Sequence, residues 1–486
     1  MKRMLVLAAF VITTAASLLS QQAFQRLDGS KISPAEIDAT ITRLMRAAEV
    51  PGVGITLFNQ GKIVYQKAYG FRDAEKHLAL TADSVMNAAS FTKVAFAYMV
   101  MQLVDEKRLD LDRPVYQYLD KPLPEYPSYH DLAGDSRYRW ITARMLLDHT
   151  SGLPNLRWLN EDHKLNINFK PGTRYAYSGE GMMLLQLVVE SITGETLEEL
   201  MQERVFHPLG MSRSSMVWQT NFESDFANGY DEYSRSLGPD KRRRADSAGS
   251  MSTTLGDFSR FMQAVMAGKG LSRKTWELML SPQIEITSKH QFPTLAFDPT
   301  DENRSIHLSY GLGWGLYQTP YGRAFFKEGH TDGFMNYTVC FDQEKTGIVI
   351  MTNSANGEGI YKELLVTLLK NTYTPIEWER FTPYNQLPPR PALKQHTEIA
   401  VDREILDRYV GRYAVSPELV LTVVRDGGRL IIKEGDENHE MFPESERDFF
   451  SKTADDEITF IVDGQGHVTQ MELRTGGRTI PMKRME

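Results

Sequence analysis

The rhythm of apolar and polar positions changes along this chain, and the changes divide it into blocks. Residues 34–50, PAEIDATITRLMRAAEV, predict a helix entered through Ser33, Pro34 and Glu36, an N-cap, an N1 proline and a capping-box acid, and stopped by Pro51-Gly52. VGITLF and KIVYQKAYG are β-branched runs joined by NQGK, which predicts a hairpin. From about 90 to 285 the pattern is mainly helical. Within it, GMMLLQLVVESIT and LGDFSRFMQAVMA run into Gly194 and Gly268, residues suited to C-caps. Strand patterns return in GWGLYQT, AFFKEG, FMNYTVCFD and TGIVIMTN, and a last helix follows in IYKELLVTLLKN.

Two early strands and about three late ones thus bracket a helical block. This predicts an α+β class (α/β in the broad sense): one antiparallel sheet, with the terminal helices on one face and a large helical insertion on the other. Residues 374–396 carry Pro375, Pro383, Pro388, Pro389 and Pro391 and read as a linker. Beyond it, strand runs alternate with the turns RDGGR, EGDEN, DGQGH and TGGR, predicting a small all-β domain, a lipocalin-like barrel or a sandwich, over 397–486.

Composition changes this picture in two places. The formal net charge of −8 argues against a nucleic-acid partner, and the one basic run, Lys241 to Arg244, reads as a solvated loop. At the N-terminus, Lys2 and Arg3 precede an apolar run from Met4 to Leu19, the layout of a secretory signal peptide over 1–22, cleaved between Ala16 and Ala23. A secreted or periplasmic protein with no membrane span after cleavage is expected. Cys340 is the only cysteine, so disulfides and an acylated N-terminal cysteine are excluded, and its strand context predicts a buried thiol.

The candidate chemistry starts at Ser90. No glycine or proline interrupts residues 86–112, so a helix from about Ser90 places Lys93 on the same face as the serine hydroxyl. Val94, Ala95 and Phe96 would desolvate the amine and favour its neutral, proton-accepting form. Free N–H groups at the helix start suit a developing oxyanion, which completes an activated-nucleophile arrangement. The plain alternative is an N-cap serine beside a snorkelling lysine. No Gly-x-Ser-x-Gly elbow, His-Glu-x-x-His pair or phosphate-binding glycine loop is present, so no metal or organic cofactor is expected.

SFTK at 90–93, KRLDLDRPVYQYL, ITARMLLDHTSGLP, PGTRYAYSGEGMMLLQLVVESITG, VFHPLGMSRSSM, SMSTTLGDFSRFM and GHTDGF occur in an order that resembles the serine β-lactamase and penicillin-binding protein superfamily. The resemblance is to its class C β-lactamase-like branch of esterases and D-amino-acid peptidases, and it implies a hydrolase domain over 30–373. It implies that Ser90 is the acylated nucleophile, Lys93 its base or proton relay, and Tyr177 a phenolate-capable proton shuttle whose acidity flanking cations raise. It places His330 on the strand lining the site, Thr331, Asp332 and Gly333 against substrate, and the second oxyanion N–H at Gly333. His149, in DHTSGLP, belongs to a structural turn.

Two departures stand out. Gly179 replaces the asparagine that in the family holds the substrate's acylamide chain, and Asp332 replaces a glycine of the third motif. The resemblance implies hydrolysis of an ester, a D-amino-acid peptide or a β-lactam-like amide, peptidoglycan fragments among them. A non-catalytic sensor or docking module for cell-wall fragments is the alternative that these departures leave open. The C-terminal segments LDRYVGRYAVSP and ITFIVDGQGHVTQMEL resemble the small β domain often appended to such hydrolases.

Overall fold

Phe325 and Phe326, like Val349 and Ile350, point to opposite sides of one sheet and so sort into two separate cores. The sheet comprises β1 (Gly52–Asn59), β2 (Lys62–Asp73), β3 (Gly315–Thr319), β4 (Gly322–Thr331), β5 (Phe334–Phe341) and β6 (Thr346–Thr352). Its order is β3-β4-β5-β6-β1-β2, all antiparallel, with two-residue strands added at both outer edges. The computed structural model describes residues 23–485 apart from 161, 297, 389–393, 416–419, 435–436, 453–455 and 476–477. The signal peptide expected over 1–22 lies outside the described residues.

One face is covered by α1 (Pro34–Ala47), whose Ser33–Glu36 capping box forms as expected, and by a helix over 361–369. Ile37, Ile41, Leu44, Leu364 and Leu368 pack there on Ile55, Leu57 and Ile350. The other face carries α2 (Phe91–Asp105), α3 (Gly179–Thr193) and α4 (Leu255–Ala267). Helices α3 and α4 end at Gly194 and Gly268 with φ of 77° and 64°. Burial runs around nearly the whole circumference of α2, which makes it a core helix, not an amphipathic surface one.

Three features differ from the sequence expectation. Among the described residues between α2 and α3 only Ala143–Leu147 is α-helical, and short 3₁₀ turns fill much of the rest. Pro114, Pro122, Pro124 and Pro127 remove backbone donors that a continuous helix needs. The Pro-rich segment also begins as core: Ile376, Trp378 and Glu379 are buried beside the 361–369 helix. Third, β4 and β5 are joined by only two residues, Asp332 and Gly333. Gly333 has φ 73°, and a Cβ there would lie 2.8 Å from the Cα of Gly229.

Strands between Gly411 and Arg484 close into an eight-stranded antiparallel barrel, the first pairing with both the second and the last. Val423, Leu430, Phe449, Phe460 and Met471 fill it, together with Leu406 and Tyr409 of the preceding helix Arg403–Tyr409. Closure leaves no open edge strand. Cys340 is buried in β5, where burial raises its thiol well above the usual range. Among the described residues no helix is long and apolar enough to cross a membrane.

Candidate active site

Ser90 stands at the N-terminus of α2 but does not cap it. Ser33, Ser178, Thr254 and Ser272 each accept a backbone N–H at their helix starts, whereas the Ser90 hydroxyl accepts none. Ala89 before it has φ 47°, a left-handed conformation costing a residue with a Cβ about 1–2 kcal/mol. Asn87 holds that turn through its Oδ1, which accepts the Ala89 N–H at 2.6 Å. The N–H groups of Phe91, Thr92 and Lys93 bond to the carbonyls of Ala88, Ala89 and Ser90. Of these four consecutive N–H groups, only that of Ser90 has no partner among the described residues.

Lys93 is 3% exposed. Its Nζ lies 3.1 Å from Ser90 Oγ and donates to the Ala248 carbonyl at 2.5 Å. Burial, reinforced by the charge of Lys327, pulls its pKa down to about 7, against the opposing pull of Asp246 and Glu328. A substantial fraction of Lys93 is therefore a neutral amine near pH 7, which makes it a competent proton acceptor.

Tyr177 comes from the loop just before α3 and is 2% exposed. Its ring has the Lys93 and Lys327 ammonium groups each 4.9 Å from the centroid. Its hydroxyl accepts from Lys327 Nζ at 3.2 Å and lies within reach of Ser90. His149 fixes this loop on both sides of Tyr177: its carbonyl accepts from Ala176 N and its Nδ1 from Ser178 N. Its ring packs 4.5 Å from that of Tyr177, so His149 serves the turn expected of it. The expectation of an acidified phenol is reversed. Burial, and next the charge of Glu328, push Tyr177 well above its usual range, with only Ser90 acting the other way.

Lys327 was not among the residues singled out in the sequence. It is fully buried, and its ammonium donates to Tyr177 Oη, to the Glu328 carbonyl at 2.9 Å and to Glu328 Oε1 at 2.6 Å. The Asp332-Gly333 turn sets the register that pairs Gly329 with Asn336, so Lys327, Gly329 and Thr331 share one face of β4. At Gly329 the strand passes so close to the Ser90 turn that a Cβ would lie 2.8 Å from the Ala88 carbonyl oxygen. Lys327-Glu328-Gly329 therefore stands where a Lys-x-Gly third motif is needed. The signal was present in the sequence three residues before His330.

His330 itself points away: it is largely exposed, with Nδ1 3.6 Å from Glu358 Oε2. Thr331 and Gly333 lie at the hairpin, Gly333 packed on Gly229 and Tyr230, and Asp332 is exposed at its tip. Gly179 opens α3, where its N–H bonds to Asn155 Oδ1 at 3.2 Å; an added Cβ would lie 2.7 Å from the Asn155 carbonyl oxygen. Asn155 thus takes up the space a side chain at 179 would enter. The basic run pairs locally, Lys241 with Glu223 and Arg242 with Asp240. Among the described residues no three His, Cys, Asp or Glu side chains are arranged to hold a metal ion.

Comparison with known proteins agrees with this fold. Penicillin-binding protein 4* of Bacillus subtilis is 25% identical over 438 residues, covering 82% of this chain and 88% of the relative. A D-aminopeptidase of Brucella anthropi is 28% identical over 218 residues, 41% of each chain. The octameric penicillin-binding protein homologue from Pyrococcus abyssi superposes with a TM-score of 0.58 at 21% identity, over 93% of this chain and all of that one. D-alanine carboxypeptidase AmpC from Burkholderia cenocepacia gives 0.53 at 21% identity, over 65% of this chain and 93% of its own. Residues 395–484 match a family described as a domain of unknown function, DUF3471. The Beta-lactamase family model spans residues 37–369, well over half the chain, and the protein belongs to that family, at which level it is a serine hydrolase.

Proposed function

We propose that this chain is an exported hydrolase that cleaves carboxylic esters or amides through an acyl-enzyme on Ser90, its amide substrates being D-amino-acid peptides or β-lactam-like rings. The observation that carries the reading is a serine hydroxyl that caps nothing and instead meets a buried lysine poised near neutrality. Neutral Lys93 takes the Ser90 proton as Oγ attacks the substrate carbonyl. The unpartnered N–H of Ser90 receives the developing oxyanion, and the edge of β4 beyond Phe326, where pairing with β3 ends, offers further backbone groups. Tyr177, a neutral phenol, passes a proton to the leaving group and is resupplied from Lys93. Water then attacks the acyl-enzyme with the same amine as base.

The relatives named D-aminopeptidase and D-alanine carboxypeptidase favour peptide substrates. The filled space at Gly179 favours substrates that make no contact with a side chain there, small esters included. Export rests on the N-terminal Lys2–Leu19 pattern and is checked by the N-terminus of the protein recovered from an expressing bacterium.

Intact-mass analysis after incubation with a fluorophosphonate and, separately, a penicillin tests the reading. Wild type is expected to gain one adduct that the Ser90→Ala variant lacks. Labelling by penicillin as well points to cell-wall peptides, and labelling by fluorophosphonate alone to esters. If neither reagent labels wild type, the non-catalytic binding protein is the correct description.

A further inference from the structure

The third motif of this site carries an anion within it. Glu328 lies between Lys327 and Gly329, and pairing of β4 with β3 stops at Phe326. Around this open edge the Glu328 carboxylate reaches the ammonium of Lys327, on the neighbouring position of the strand. Its Oε1 also accepts from Gln291 Nε2 at 3.0 Å, and Glu328 and Gln291 are both nearly inaccessible to water. All three ammonium protons of Lys327 are thereby committed, to Tyr177, to the Glu328 carbonyl and to its carboxylate.

We propose that Glu328 is a positioning residue that assigns the base role in this site to Lys93 by cancelling the charge of Lys327 at the Tyr177 hydroxyl. The inference rests on the serine-hydrolase reading above. A lone lysine 3.2 Å from the phenol oxygen would favour phenolate strongly. The carboxylate is no more than about twice as far from that oxygen, so it removes about half or more of the attraction. Tyr177 then rests as a neutral phenol, which cannot take the Ser90 proton at the start of the reaction and leaves that step to Lys93. Lys93 feels Lys327 and Glu328 with opposite signs, so the same anion, after burial, Lys327 and Asp246, contributes to where Lys93 titrates.

The surroundings support a single effective negative charge. Glu379 lies behind the pair and receives the Tyr337 hydroxyl at 3.1 Å. Burial, and next the nearby Glu328, raise it well above the usual carboxyl range and disfavour its anion. The other titratable groups facing the pair are Tyr175, Tyr310 and Tyr337, all raised by burial, with Glu358 beyond Glu379 and Asp246 beyond Lys93. His149, on the far side of Tyr177, is held neutral by burial and by the two lysines.

The test is the rate of Ser90 labelling by a fluorophosphonate, read by intact mass from about pH 5 to about pH 10, in wild type, Glu328→Gln, Glu328→Asp and Tyr177→Phe. Wild type should rise to a plateau with a midpoint at about 7. Tyr177→Phe should be slower but keep that midpoint. Glu328→Gln should shift it down by about one pH unit or more, and Glu328→Asp, which restores the charge, should bring it back. An unshifted midpoint in folded Glu328→Gln overturns the proposal. So does a midpoint that moves or vanishes in Tyr177→Phe, a comparison that stands whether or not Glu328→Gln folds. Absence of Ser90 labelling at every pH overturns the hydrolase reading itself, an outcome distinct from normal labelling with an unshifted midpoint.

Discussion

The two domains of this molecule treat polar groups in opposite ways. The hydrolase domain buries Lys93, Lys327, Glu328 and Glu379 beside its sheet, along with Glu180, Asp148 and Asp257 elsewhere. The C-terminal barrel, among its described residues, buries one polar side chain, Ser451. Its charges sit outside, as where Glu444 and Glu457 receive Lys394 from the preceding segment. Burying an ionisable group is costly unless it is paired, so a fold selected for stability alone would resemble the barrel. The hydrolase domain bears that cost at the site where the proposed reaction calls for a neutral amine and preset dipoles. Chemistry is therefore expected in the first domain and support in the second.

Substitutions at the buried cluster should produce the largest effects. Ser90→Ala should abolish turnover, and Lys93→Met should lower it by about 10²–10⁴-fold, both measured on an activated ester. A barrel substitution with an effect of that size would break the contrast. In the barrel the large effects should be on stability: Phe460→Ala removes a ring stacked 4.1 Å from Tyr409 and should cost about 3–5 kcal/mol, read by denaturant unfolding.

Much of this was legible in the sequence, and the failures are instructive. The spacing of Ser90 and Lys93 on an uninterrupted helix, the capping of α1 and the antiparallel sheet follow from periodicity and turn residues. The third motif was misplaced by three residues because His330-Thr331 matched the expected residue types, while a glutamate interrupted Lys327-x-Gly329. The Asp332-Gly333 pair is itself a strong hairpin signal and would have fixed the register, and with it the face of Lys327. Trp378 was hidden in a run of prolines. The upward shift of Tyr177 was not readable at all, since it depends on burial that only packing creates and next on Glu328, distant in sequence.

A smaller effect sharpens the same contrast. The pKa of Lys93 is depressed in the folded protein from an ordinary 10.5 to about 7, so the unfolded chain binds the extra proton between these values. Stability contributed by this site thus falls as pH drops from 10.5 towards 7 and changes little below. Lys93→Met should accordingly raise the thermal midpoint at neutral pH while destroying activity, a gain of roughly 1–2 kcal/mol that shrinks as pH approaches 10.5. The smallest effect should be that of Lys394→Ala, in the segment that leads into the barrel. Its ion pairs are half exposed, so the loss should stay under about 1 kcal/mol and fade as salt is added.

The central claim is that buried Lys93, neutral near physiological pH, activates Ser90. The pH dependence of kcat/KM for a p-nitrophenyl ester, which reports the free enzyme's essential base, tests it most directly. The account predicts a rate that climbs with pH through a midpoint at about 7 and then levels. A profile that is flat across that range, or one that is still climbing at about pH 10 as an ordinary lysine or phenol would require, contradicts it.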